Sequence, residues 1–503
     1  MHAGKVWLVG AGPGDPGLIT VRGLEALRDA EVVLYDALAH PSLLDECPQA
    51  ETRDVGKRYN VESPSQESIT QQLIELARGG KRVVRLKGGD PFLFARGAEE
   101  AEALADAGVP FEIVPGIPSP VGAAAYAGMS LTHRELSSST TFITGSDKTG
   151  KKWSPAAWKK LATATDTICV LMGMRRINDI TQAIIEGGRA ATTPAAVIQW
   201  GARPAQRVAV GTLADIAERA QQQGLANPAI IVVGEIVRLR KKLRWFDNRP
   251  LFGKRIVVPR APHQARPTAD AIRARGAAAV LFPVIEICDP PDPAPLAASV
   301  DKLSDYSWVV FTSANGVDRF FAALEKANKD ARALGAARVG VIGPKTAEAA
   351  ARYGIRSDVI AKEFVGEGMA EALRAETGRG RVLVPRALSA RETMPAMLRA
   401  AGFEVDVVPA YETRPVDASR GEALAQQLRT NSDVIMFTSG STVASTCELL
   451  GENAKEVLAN VAVASIGPIT TEAARARGIE PTVTASVYTV AGLLDALEAH
   501  YRA

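Results

Sequence analysis

From residue 5 to about 236, short β-branched runs alternate with amphipathic stretches. "VWLV", "EVVLYD", "KRVVRL", "FEIVPG", "TTFITG", "ICVLMG", "AAVIQW" and "AIIVVGEI" read as strands. "SITQQLIELA" and "GAEEAEALADAG" between them read as helices. Such alternation predicts a largely parallel α/β sheet. The period is lost in "RLRKKLRWFDNRPLFG", Arg238 to Gly253, where five basic residues fall within seven positions. This stretch is expected to be a linker, and its basic run a solvated face.

The C-terminal half repeats itself. "RIVVPRA" returns as "RVLVPRA", "LFPVIE" as "VVPAYE" and "VVFTSANGV" as "IMFTSGSTV", each 126 positions on. "VIGPKTAEAA" returns as "SIGPITTEAA", and "EFVGEGMAEAL" as "SVYTVAGLLDAL", each 124 positions on. A unit of this length is too long for a solenoid and long enough for an α/β lobe. Two similar lobes with a cleft between them is the simplest architecture, and such clefts are common ligand sites. In each unit the "FTS" run and the "IGP" turn follow a strand and precede a helix, which aims hydroxyls and backbone N–H groups at an anion or caps the helix itself.

Composition narrows the partners. The 503 residues carry a formal charge of only +3, which argues for neither nucleic acid nor an anionic membrane surface, so an anionic ligand must meet local basic pockets. No apolar run approaches the roughly 18 residues of a membrane span, and the N-terminus reaches glycine and proline too early for a secretory signal. A cytoplasmic protein is expected. Cys47, Cys169, Cys288 and Cys447 are far apart and the five histidines are scattered, so neither a disulfide framework nor a metal site is expected.

The stretch "GAGPGDPG", Gly10 to Gly17, invites a dinucleotide reading. Gly10 and Gly12 fit, and Asp36 closes "VVLYD" where an acidic residue belongs, but Asp15 stands in place of the third glycine. Pro13 and Pro16 remove amide donors that a pyrophosphate would need. They suit a rigid loop whose glycines let a bulky ligand approach.

With "VWLVGAGPGDPGLIT", "YDALAHPSLL", "VGKR", "RLKGGDPFLFARGAEE", "VPGIPSPVGAAAYAGMSLTHR" and "NPAIIVVGEIV", the N-terminal half resembles the uroporphyrinogen-III C-methyltransferases of the tetrapyrrole methylase type, over about residues 4–240. Through "VFTSANGV", "IGPKTAEA", "VPAYET" and "FTSGSTV", residues 253–503 resemble uroporphyrinogen-III synthase. The resemblance implies an N-terminal pair of α/β methylase domains in 1–245, a linker at 246–253, and a bilobal α/β synthase in 254–503. The implied lobes are 254–288 with 411–503, and 289–410.

By the same resemblance, S-adenosylmethionine would touch Pro13, Gly88, Gly89, Asp90 and Leu93. It would also touch Pro118, Ser119, Met172, Gly201 and Ala229. Asp36 would accept a proton and Lys57 donate one, while Arg58, Lys87, Arg96 and Arg134 would meet the carboxylates of the tetrapyrrole, whose recognition calls for basic side chains. Alignment and water exclusion would supply most of the methyl-transfer rate. In the synthase half Tyr411 is the implied acid, and Thr312, Ser313, Ser439, Ser441 and Thr470 the implied carboxylate donors. Departures from the family pattern, Asn60, Glu62 and Ser146 among them, fall on the proton-handling side. Together these imply a fusion that makes uroporphyrinogen III from hydroxymethylbilane and methylates it to precorrin-2, toward sirohaem or cobalamin, as a homodimer. The alternatives are a methyltransferase with a non-catalytic tetrapyrrole-binding half, a methylase of later corrin intermediates, and a nicotinamide-dependent dehydrogenase.

Overall fold

The computed structural model describes residues 4–56, 64–145, 155–260, 262–363, 366–376 and 379–502. The chain forms two compact units, Met1–Lys254 with Ile272–Ala278 and Tyr501–Ala503, and Arg255–Ala271 with Ala279–His500. Among the described residues no helix is long and apolar enough to cross a membrane.

The first unit holds two sheets. Strands β1 (Lys5–Gly10), β2 (Val32–Tyr35), β3 (Glu51–Asp54), β4 (Arg82–Lys87) and β5 (Phe111–Val114) lie in the order β3-β2-β4-β1-β5, all parallel. Successive strand side chains point to opposite faces. Val6, Leu8, Val32, Leu34 and Val83 fill one core, and Val9, Val33, Val84, Leu86 and Val114 fill the other. That is why these strands read as unbroken apolar runs.

The second sheet departs from the expected parallel arrangement. Strands β6 (Thr140–Thr144), β7 (Thr167–Leu171), β8 (Pro194–Gln199), β9 (Arg207–Thr212) and β10 (Ala229–Val233) lie in the order β6-β7-β10-β8-β9, and only β6 and β7 run parallel. The connection from β8 to β9 contains no helix. A parallel return needs a crossover of a dozen or more residues, so the chain folds straight back.

The expected linker is folded too. Phe246 is buried and, with Trp245, packs edge-on against Tyr126 at centroid distances of 4.7 and 4.9 Å. Trp245 Nε1 donates to Ala125 O at 3.0 Å, and Arg240 pairs with Asp247 while donating to Ala127 O at 2.6 Å. Only Arg238, Lys241, Lys242 and Arg244 of the basic run are exposed.

In the second unit, β11 (Arg255–Val258), β12 (Ala278–Leu281), β13 (Ile285–Cys288), β14 (Trp308–Phe311), β15 (Arg338–Val341) and β16 (Val359–Ile360) are followed by β17 (Arg381–Ala387), β18 (Glu404–Pro415), β19 (Val434–Phe437), β20 (Ala462–Ser465) and β21 (Val483–Thr484). One sheet has the order β12-β11-β19-β20-β21 and the other β13-β18-β17-β14-β15-β16. The motifs that match at 126 or 124 positions lie on or beside strands holding the same places in the two sheets. The five-stranded sheet takes β11 and β12 from the first copy and β19, β20 and β21 from the second, while the six-stranded sheet takes β17 and β18 from the second copy and its other four strands from the first. The lobe limits differ from those expected, because β18 runs unbroken across residue 411 and carries β13, paired antiparallel with its residues 412–415, into the six-stranded sheet. A boundary at residue 411 would cut β18 inside one continuous strand, whose backbone is paired with β17 up to that residue and with β13 after it.

The first sheet's loops approach so closely that a Cβ on Gly10 would lie 2.6 Å from Gly116 Cα and 2.7 Å from Gly89 O. Gly10→Ala is expected to destabilise the first unit by about 3 kcal/mol, since no flexible side chain can yield. Guanidinium unfolding followed by Trp7 and Trp200 fluorescence measures it, and an unchanged midpoint contradicts the close approach.

Candidate active sites

The carboxyl ends of β1 and β4 lead into the opening loop and "GGDPFL". Gly12 N donates to Gly89 O at 3.1 Å and Gly89 N to Gly12 O at 2.8 Å, which ties the two loops together. Asp15 Oδ1 accepts from Gly17 N at 2.8 Å and Oδ2 from the Tyr126 hydroxyl at 2.8 Å. Pro13 packs on Gly122 so tightly that a Cβ there would meet its Cγ at 2.3 Å. The prolines and Asp15 therefore stiffen the loop, while Gly10 and Gly89 serve backbone-on-backbone packing.

Above these loops lies a cavity of about 490 Å³. Pro13, Gly88, Gly89 and Ser119 line it from the first sheet's side, and Met172, Gly201 and Ala229 from the second. Asp90, Leu93 and Pro118 are not in its wall. Asp90 instead accepts from Phe92 N at 2.8 Å and Gly116 N at 3.0 Å, which holds two of the loops in register, and Pro118 occupies the N-cap position of the helix Ser119–Tyr126. Met172 is half exposed at φ 55° and Trp200 sits at φ 50°, a conformation costly for residues with a side chain and one that clusters at functional sites.

The wall also contains Leu38, Trp200 and three arginines, Arg175, Arg176 and Arg203, which the sequence reading passed over. Trp200 and Arg203 flank Gly201 in "QWGARP", and Arg175 and Arg176 follow Met172 closely, so proximity to motif residues was the available signal. Arg203 donates to Leu38 O at 2.5 Å and stacks over Trp200 at 5.1 Å.

Asp36 lies at the end of a buried charge ladder. Its Oδ1 accepts from Arg85 Nη2 at 2.5 Å, Arg85 Nε donates to Glu100 Oε1 at 3.2 Å, and Lys87 Nζ donates to the same oxygen at 3.0 Å. Gln66 Nε2 donates there as well, at 2.7 Å. Two cations against two carboxylates make the burial tolerable. Lys87 is only 1 % exposed, which removes it from the expected tetrapyrrole-binding set. Burial first, and then Arg85 beside it, hold its ammonium below the usual lysine range.

Of the other expected arginines, Arg134 is exposed, and Arg96, at φ 63° before the helix Gly97–Asp106, donates to Glu99. Lys57, Arg58, Asn60, Glu62 and Ser146 lie outside the described residues.

The second unit contains a cavity of about 1250 Å³ between its two sheets, lined by Arg260, Arg319, Lys345, Arg352 and Arg420 with Glu286, Asp318 and Glu348. None of the six expected synthase residues is in its wall. Ser313 and Ser439 cap helices, accepting from Gly316 N at 3.1 Å and Thr442 N at 3.3 Å, so those oxygens already have donors. Thr470 is buried, Ser441 bonds to Ser439 at 2.9 Å, and Thr312 is half-buried. Tyr411, also buried, has its hydroxyl 3.0 Å from Ser313 Oγ, directly before the cavity-lining Ala314.

Residues 5–217 match the family described as Tetrapyrrole (Corrin/Porphyrin) Methylases, and residues 266–495 match Uroporphyrinogen-III synthase HemD. The chain is 36 % identical over 500 residues to the Porphyrin biosynthesis protein HemD of Ruminiclostridium josui, covering 99 % of this chain and 98 % of that one. The chain belongs to the methylase–synthase fusions of this family. Its methylase half is 49 % identical over 250 residues to Siroheme synthase 2 of Aeromonas salmonicida, and the match spans about half the length of each protein, 49 % of this one and 51 % of the other. A Thermus thermophilus uroporphyrin-III C-methyl transferase complexed with S-adenyl homocysteine matches 47 % of this chain and 99 % of its own, at 36 % identity and a TM-score of 0.41. The dinucleotide alternative loses its support, because its acidic residue, Asp36, is engaged by Arg85.

His40, close to Leu38 in the methylase half, bonds to Ser42 Oγ at 2.8 Å. Burial first, and then the Arg203 charge, push it down from its ordinary 6.5 to about 4. It is neutral in the fold, whereas the unfolded chain takes up a proton near pH 6.5. Its contribution is therefore present above that pH and lost as pH falls toward 4, by about 1.4 kcal/mol per pH unit. Thermal melts of H40N are expected to show a shallower acid-side fall than wild type; parallel curves would contradict a buried neutral imidazole.

Proposed function

We propose that the C-terminal half closes hydroxymethylbilane to uroporphyrinogen III and that the N-terminal half methylates this product twice to precorrin-2, feeding sirohaem or cobalamin synthesis. The observation that carries the reading is the end-to-end relationship to one fusion protein together with a separate cavity in each matched half. The working assignment keeps 1–245 as methyltransferase and 254–503 as synthase in a cytoplasmic homodimer paired through the N-terminal half.

The first cavity suits S-adenosylmethionine. Its volume lies within the roughly 300–1,000 Å³ of small-molecule sites, and its wall is mainly apolar, with the half-exposed Met172 and a few polar groups. Gly88, Gly89, Ser119, Met172, Gly201 and Ala229 would hold the cofactor, with Pro13 as a rigid wall. When bound, it supplies a methyl group activated by positive sulfur. The protein's work is then to orient the pyrrole carbon, exclude water and hold protons. Asp36, oriented by Arg85, is the proposed proton acceptor, and Lys57 the proposed donor. Arg175, Arg176 and Arg203 join Arg96 as candidates for meeting tetrapyrrole carboxylates.

In the synthase half, the hydroxyl of the hydroxymethyl group leaves as water and its carbon bonds to the substituted α carbon of the far terminal pyrrole. That carbon's old bond to the neighbouring methylene breaks and re-forms at the ring's free α carbon, which inverts the ring, and the free α carbon gives up its proton. Tyr411 is the proposed acid for hydroxyl departure, its phenol held by Ser313.

Given hydroxymethylbilane and S-adenosylmethionine, the purified chain is expected to yield uroporphyrinogen plus two methyl groups by mass spectrometry. Unmethylated symmetric isomer alone would end the proposal. Met172→Ala is expected to weaken S-adenosylhomocysteine binding about tenfold in calorimetry, through lost apolar contact. No heat from that ligand, with clean titration of a pyridine dinucleotide, would favour the dehydrogenase reading.

A further inference from the structure

The five cations around the second unit's cavity are not equivalent. Arg319 donates to Asp289 at 2.5 Å and to Ile287 O at 2.7 Å, and Arg352 donates to Asp318 at 2.9 Å. Arg260 is half-buried, and that burial holds its guanidinium below the usual arginine range. Among the described residues, Lys345 and Arg420 line the cavity with no carboxylate in ion-pair range, and Arg420 lies over the Phe282 ring at 5.0 Å.

These two approach from opposite sides. Lys345 is the second residue of the helix Pro344–Arg352, which follows β15 of the six-stranded sheet. Arg420 opens the helix Arg420–Asn431, which leads into β19 of the five-stranded sheet. The helix after β20, Pro468–Arg475, also begins with proline and stands where Pro344–Arg352 stands in the other sheet. Its second residue is Ile469, 80 % exposed. Of these two matching positions, Lys345 lines the cavity and Ile469 does not.

We propose that Lys345 and Arg420 are a two-point carboxylate anchor that holds the linear tetrapyrrole in a single end-to-end sense, and so determines which isomer ring closure gives. The inference rests on the reading of this half as a synthase. A carboxylate buried without a partner is costly, and Glu286 and Glu348 in the same wall repel it from other positions. The substrate's carboxylates therefore settle against the two cations that lack internal partners. The matching helix of the other sheet supplies no cation at the place of Lys345, so a reversed substrate loses one of its two partners, while Tyr411 keeps its place beside Ser313.

The test uses the full chain with hydroxymethylbilane, reading KM, kcat and, by chromatography of the oxidised porphyrins, the isomer ratio. K345Q and R420Q are each expected to raise KM about tenfold, the loss of one charged hydrogen bond, and to increase the share of symmetric isomer. K345R is expected to restore both readouts. Thermal melts establish that each variant is folded; Lys345 is exposed, so K345Q tests the anchor even if R420Q unfolds. Unchanged KM and isomer ratio in folded K345Q overturn the proposal, as does a lower kcat at constant KM in both variants, the mark of a structural role. A wild-type chain giving only the symmetric isomer would overturn the synthase reading itself, which the variants alone would not.

Discussion

The methylase half depends on three stretches of backbone meeting where no Cβ fits. Gly10, Gly89 and Gly116 stack at the carboxyl ends of the first sheet, and a side chain on any of them would collide with another's main chain or, at Gly89, with Ser119. Their contact brings the loops after β1, β4 and β5 into one layer, and Asp90 and Asp15 bolt that layer together through hydrogen bonds. The floor of the cavity is consequently rigid before any ligand arrives, which is what a reaction governed by placement requires.

Cations serve two different ends in this chain. In the methylase half, Arg85 and Lys87 point into the protein, are neutralised by Asp36 and Glu100, and orient a carboxylate. In the synthase half, cations of similar sequence appearance face a cavity, some already paired and some not. Burial and partners separate the two uses, and neither is visible in a run such as "VVRLKGG" or "IGPKT".

The synthase half shows how two sheets of the same strand order can become unlike. Each takes strands from both copies of the repeated motifs, so the chain passes between the sheets along β13 and β18. The backbone plan is shared, while the side chains at matching places are free to differ.

Local chemistry made much of this legible from residue order alone. The apolar runs of β1, β2 and β4, the proline-stiffened "GAGPGDPG" and the recurring "FTS" and "IGP" motifs follow from short-range rules of burial, turn geometry and capping. Proximity in space decided the rest. Only tertiary packing drew the aromatic "WF" of the expected linker onto Tyr126 and buried Lys87 against Glu100. It also set the Tyr411 phenol against Ser313. Each outcome depends on a partner far away in sequence, and the free energy of a polar side chain is set by which partner it finds.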